Sequence, residues 1–120
     1  VEDLLSSASV TDGVRVIVRQ VGCDIASMRQ LIDQVRRKAS PVAILLAGLE
    51  DQKVTLVAGI SHELEQRGFS ASEWLKEPAA MVGGKGGGRK DLAQAGGRLP
   101  EAIPTALATA LESMQRQLGP

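Results

Sequence analysis

Residues 42–60 read VAILLAGLEDQKVTLVAGI. The run from Val42 to Leu49 is apolar throughout, so an extended chain here offers the same chemistry on both faces; it reads as a central strand covered by a layer on each side. Glu50-Asp51-Gln52-Lys53 is a polar turn, and Val54 to Ile60 returns as a second strand. A connection this short allows only an antiparallel hairpin. Just upstream the period changes. Ile25, Met28, Leu31, Ile32 and Val35 recur at helical spacing, with Asp24 as N-cap and Ser40-Pro41 as the stop. Before that helix, Val14, Val16 and Val18 alternate with Arg15 and Arg19 in a strand that follows the turn signal Thr11-Asp12-Gly13. Strand, helix, strand implies a right-handed parallel crossover. The expected class is therefore α/β (α+β): a small mixed sheet with a parallel β-α-β crossover and an antiparallel hairpin, packed with helices in a single domain.

Downstream, a short helix is expected from Ser61 to Gln66, ended by Gly68. Ser70-Ala71-Ser72-Glu73 fits a capping box, and Phe69 and Trp74 occupy the two positions of a hydrophobic staple. That helix should reach Met81 or Val82, with a kink near Glu77-Pro78. Ile103, Leu107, Ala110, Leu111, Met114 and Leu118 trace one face of a C-terminal helix able to close over the sheet, with Pro100 or Pro104 in its first turn. At 120 residues the chain has room for one core. The expected division is a tail of an upstream helical or linker segment over 1–10 and a globular domain over 11–120. A start at Val1 rather than Met suggests a piece of something longer.

Fourteen Lys and Arg balance fourteen Asp and Glu, so no whole-molecule field attracts nucleic acid or an acidic membrane, and any electrostatic site must be local. Phe69 and Trp74 are the only aromatic residues, which argues against reading successive bases by stacking. One Cys and one His exclude a disulfide framework and a multi-ligand Cys/His zinc site. With no stretch near the roughly 20 apolar residues of a membrane helix, the expectation is a soluble, cytoplasmic protein with no membrane partner.

Residues 83–97 read GGKGGGRKDLAQAGG and hold seven of the 13 glycines. A flexible linker is one reading, but such linkers favour Ser and Thr over cations. The other is an anion site: glycine removes the side chains that keep a ligand from backbone N–H groups, and successive N–H groups can form a nest. Lys85, Arg89, Lys90 and Arg98 place four positive charges there against Asp91 alone. Known nucleotide motifs fail. From Gly83 a P-loop would reach Gly88, but Arg89 and Lys90 follow with no hydroxyl for magnesium; a dinucleotide fingerprint from Gly84 would need glycine where Arg89 stands.

The same run resembles the signature of the DHH-associated domain in its alanyl-tRNA synthetase version, Gly-Gly-x-Gly-Gly-Gly-Arg-x-Asp-x-Ala-Gln-x-Gly-Gly, which residues 83–97 match throughout. The likeness extends more loosely over 14–118. Lys90 departs from it, since proline is common there. The resemblance implies a non-catalytic module that docks on the outer corner of tRNA(Ala), where the D and T loops meet, and serves both aminoacylation and editing. It also implies other synthetase domains as partners and a homodimer through a neighbouring helical segment. No cofactor is expected in this chain; ATP, magnesium and zinc would belong to other domains of such an ATP-dependent ligase. By the motif, Gly83, Gly84, Gly86, Gly87 and Gly88 would shape the loop. Lys85, Arg89 and Lys90 would meet phosphate, and Gln94 would hydrogen-bond at the same surface. The related phosphodiesterase branch commonly has His after its glycine triplet; Arg89 can hold phosphate bidentately but cannot shuttle protons near neutral pH.

Other candidates are weaker. His62, between Ser61 and Glu63, lacks a nucleophile signature and reads as a surface residue at a helix start. Cys23 is either a small buried thiol or one activated by the helix that Asp24 begins. Arg36-Arg37-Lys38 either complements a helix dipole or adds a second phosphate patch. Glu63, Glu65, Glu73 and Glu77 read as solvated faces. Three functions stay open: a tRNA-binding domain, an interaction or dimerisation module of the same enzyme with weak tRNA affinity, and the substrate-binding domain of a DHH-type phosphodiesterase.

Overall fold

In the computed structural model, residues 8–22 and 24–118 are described. Six strands, β1 (Ser9–Thr11), β2 (Val14–Gln20), β3 (Val42–Glu50), β4 (Lys53–Ile60), β5 (Lys85–Gly88) and β6 (Leu92–Gly97), form one sheet in the order β1-β2-β3-β4-β6-β5. The helices are α1 (Ile25–Lys38), α2 (His62–Gln66), α3 (Ala71–Met81) and α4 (Ile103–Leu118), with a 3-10 turn at Pro100–Ala102. β2 and β3 are parallel and flank the α1 crossover, while every other pairing is antiparallel. The mixed sheet with its crossover and hairpin is as the sequence predicts.

β3 is buried on both faces, as its uniform apolarity requires. Ala43, Leu45 and Ala47 face a core completed by Trp74, Leu75 and Ala79 of α3 and by Ile103, Ala106, Ala110 and Met114 of α4. Val42, Ile44 and Leu46 face Met28, Ile32 and Val35 of α1. α1 begins where expected: the Asp24 Oδ1 accepts a 2.8 Å bond from the Ser27 N–H. Its close approach to the sheet depends on Gly59, where a side chain would meet Ile32 Cγ2 at 2.5 Å. The β3–β4 turn has positive φ at both Asp51 (49°) and Gln52 (70°), the type I′ geometry whose twist matches that of the strands.

Three features differ from the sequence reading. Ser9 and Val10, assigned to the upstream tail, pair with Val16 and Arg15 in β1, so the sheet starts before residue 11; residues 1–7 of the proposed tail and Cys23 lie outside the described residues. The capping box closes on one side only. Ser70 Oγ accepts from the Glu73 N–H at 3.4 Å, but the Glu73 carboxylate accepts from Lys76 instead of reaching back. α3 itself reaches Met81 as expected, with Pro78 inside it. Finally, the glycine run is neither loop nor linker: it is a hairpin, β5–β6, at the edge of the sheet.

Both aromatic rings are committed to the fold. Trp74 is 3% exposed and its Nε1 donates to the Ala110 carbonyl at 2.9 Å, while half-buried Phe69 carries the Arg67 guanidinium 5.6 Å above its ring.

Candidate nucleic-acid interface

The hairpin sorts its glycines into two kinds. α3 ends in a Schellman motif: Gly83, with φ of 76°, donates to the Ala80 carbonyl and Gly84 donates to that of Ala79. A side chain on Gly84 would overlap the Gly96 carbonyl, and one on Gly97 the Val82 carbonyl. On Gly86 it would lie 2.6 Å from Ala95 Cβ, and on Gly88 2.7 Å from Ala93 Cα. These glycines let the strands and the end of α3 close up, so their absent side chains serve the fold. Gly87 is different. A methyl there meets nothing within 4 Å, and at Gly96 only the Val54 carbonyl at 3.8 Å.

Register places this open pair on one face. Lys85 opposes Gly96, and Gly87 opposes Gln94, so Lys85, Gly87, Gln94 and Gly96 project from the side of the sheet that carries α1. α1 covers β3 and β4, with Leu92 at the margin of its core, and leaves the rest of this face of the hairpin open, making two adjoining hollows. One is lined by Ile25, Thr55, Lys85 and Gln94 over the glycine floor. The other is lined by Arg29, Gly87, Gly88, Arg89, Leu92 and Gln94. Gly87 and Gln94 belong to both, so the two make one shallow groove with Lys85 at one end and Arg29 and Arg89 at the other.

The four cations of the motif therefore do not converge on one nest. Lys85 and Arg98 flank one end of the hairpin while Arg89 and Lys90 sit at its turn, about 13 Å away along an extended strand. Lys90 and Arg98 are exposed but do not line the groove, and Gly83 and Gly84 serve the end of α3. Arg29 completes the groove; sequence reasoning misses it, because on α1 it reads as one more solvated charge. At the start of α1 the next hollow carries Asp24 and Glu50, which would repel an anion, so phosphate is favoured at the Arg29 and Arg89 end.

The turn itself is tied from three sides. The Asp91 carbonyl accepts from the Ile60 N–H (3.1 Å) and Arg36 Nη1 (2.9 Å), and the Lys90 carbonyl accepts from the Ala71 N–H at 2.7 Å. Arg36 thus leaves the basic run Arg36-Arg37-Lys38 for a role inside the fold. His62 stays 77% exposed at its side chain, 3.7 Å from Glu65. Among the described residues no three His, Asp or Glu lie close enough to hold a metal ion, and no helix is long and apolar enough to cross a membrane.

Comparison with known proteins gives the same answer as the motif. Over 120 residues the chain is 42% identical to the alanine–tRNA ligase of Rhodopirellula baltica, taking in 98% of the chain and 13% of that protein. It thus spans about one-eighth of such a relative's length. Its fold is similar to the C-Ala domain of Aquifex aeolicus alanyl-tRNA synthetase, with a TM-score of 0.76 at 24% identity over 95% of this chain and 99% of that one. RecJ from Thermus thermophilus shares the fold more distantly, with a TM-score of 0.63 at 17% identity over 97% of this chain and 17% of that one. Residues 13–116, which run from the β1–β2 turn into the last turns of α4, match the DHHA1 domain, and the chain belongs to that family.

Proposed function

We propose that the chain is the tRNA-binding C-terminal domain of a cytoplasmic alanine–tRNA ligase, and that the groove between α1 and the β5–β6 hairpin receives ribose-phosphate backbone at the outer corner of tRNA(Ala). One observation carries this reading: Gly87 and Gly96 leave an open floor that the fold itself does not need, with Lys85, Arg29 and Arg89 around it. A flat, side-chain-free strip lets backbone approach closely, and the three cations favour phosphate over neutral ligands. With both rings engaged in the fold, the readout left is shape and backbone. The likeness to alanine–tRNA ligases supports the choice of RNA, and other domains of the parent would supply catalysis, ATP, magnesium and zinc.

Titration of the chain with tRNA(Ala) at several salt concentrations tests this. Lys85→Ala, Arg29→Ala and Arg89→Ala combined should weaken binding and lower the log–log salt slope by about 0.7–0.9 for each phosphate that is no longer neutralised. Gly87→Val, which fills the floor without touching the core, should weaken binding at constant charge. Equal affinity and slope in every variant sink the site. Absence of binding by the unaltered chain favours the interaction-module reading, which the zero net charge permits.

A further inference from the structure

Two cations of the groove, Lys85 and Arg89, are carried by an edge strand that is three-quarters glycine and by the turn after it; glycine loses most freedom on ordering and brings no side chain to anchor the strand. Something else must hold the turn. Arg36, on the last turn of α1, reaches across the end of β4 to do so. Its Nη1 donates to the Asp91 carbonyl at 2.9 Å and lies 3.4 Å from that of Ile60, while Nη2 is held by the Asp33 carboxylate. One planar guanidinium thus joins α1, the last residue of β4 and the hairpin turn. Arg89 is in the same turn: its N–H donates to the Leu92 carbonyl at 2.9 Å, and its Nε lies 3.4 Å from the Asp91 carboxylate. Arg29 sits on α1 two turns before Arg36, so the bond from Arg36 to Asp91 also fixes the distance between the walls of the groove.

We propose that Arg36 is a positioning residue for RNA binding: it holds Arg89 at the correct distance from Arg29 without touching phosphate itself. This rests on the RNA reading above. Its side chain is 19% exposed and its donors face protein oxygens, so its charge is engaged within the fold. Lysine cannot replace it, because a single ammonium has no planar fork to serve two carbonyls and a carboxylate together.

The test compares the chain with Arg36→Lys, Asp33→Asn and, as a control, Trp74→Phe, which loses the bond to Ala110 in the opposite core. Affinity for tRNA(Ala) is measured across salt concentrations well below each melting temperature, and amide hydrogen exchange is followed in the free proteins. Arg36→Lys should bind about tenfold more weakly, the value of one charged hydrogen bond, with an unchanged salt slope. The Ile60 and Arg89 amides should exchange faster while those in the centre of β3 do not. Asp33→Asn, which frees the guanidinium but leaves the turn's own bonds, should shift the same way and keeps the test open should Arg36→Lys not fold. Trp74→Phe should lower the melting temperature and leave affinity alone. Wild-type affinity in Arg36→Lys overturns the proposal, as does a slope reduced by about 0.7–0.9, which would make Arg36 itself a phosphate ligand. Failure of the unaltered chain to bind tRNA overturns the RNA reading and this role with it; loss confined to the variants' affinity leaves that reading intact.

Discussion

At the scale of single residues, the glycine run divides by what an added methyl would meet. Gly86→Ala would press on Ala95 and, at 3.2 Å, on Leu75 Cδ2 of α3. Overpacking of this kind costs about 1–3 kcal/mol. Gly87→Ala meets open space with an ordinary φ, so it removes freedom from the unfolded chain only and should stabilise by about 0.4–1 kcal/mol. Two adjacent glycines are thus expected to respond with opposite signs in urea denaturation. Matching losses would mean that Gly87 is also needed by the fold, and the open floor would lose its meaning as a binding surface. Arg36 makes a related point. Besides Asp33 on its own helix, its partners are backbone carbonyls 24 and 55 residues away, which no sequence pattern encodes, so Arg36-Arg37-Lys38 reads from sequence as surface charge.

At the scale of elements, legibility follows side-chain content. α1, α4, β3 and β4 are readable because apolar side chains recur at a helical period or fill a strand on both faces, and Asp24 marks a start by chemistry that acts locally. β5 is not readable, since a strand of Lys and three Gly has no alternation to detect, and β6 alternates only Ala against Gln and Gly. The motif locates the candidate groove, yet its opposite wall, Arg29, becomes visible only when α1 is laid beside the hairpin. The cap gives a pH prediction. Hydrogen bonds from Ser27, its backbone N–H first, hold the Asp24 carboxyl below the ordinary aspartate range. A folded value below the unfolded one means the stabilisation is complete above about pH 4 and is lost as pH falls through the folded value. The Ser40 hydroxyl lowers Glu63 in the same sense. Asp24→Asn should therefore flatten, without abolishing, the fall in melting temperature below about pH 4. An unchanged profile would show that the cap bond does not persist in solution.

At the scale of the whole molecule, β3 belongs to two cores at once: Leu45 faces α3 and α4, Leu46 faces α1, and both are fully buried. Since the sheet is one residue thick between them, loss of packing on one side removes the surface on which the other packs. Either core alone is also small, because among the described residues α1 is the sole helix on its side. The two should consequently melt together. Leu45→Ala and Leu46→Ala are each expected to cost about 2–5 kcal/mol. Trp74 reports only on the Leu45 side, where it is buried against α4, whereas far-ultraviolet circular dichroism reports on every element. For Leu46→Ala the two signals should fall at the same urea concentration, although the substitution is on the face that Trp74 does not touch. If circular dichroism declines while the tryptophan signal stays native, α1 and its core unfold as a separate unit. The groove would then be built from two parts of unequal stability, and RNA affinity would track the population of folded α1 instead of the charge on its walls.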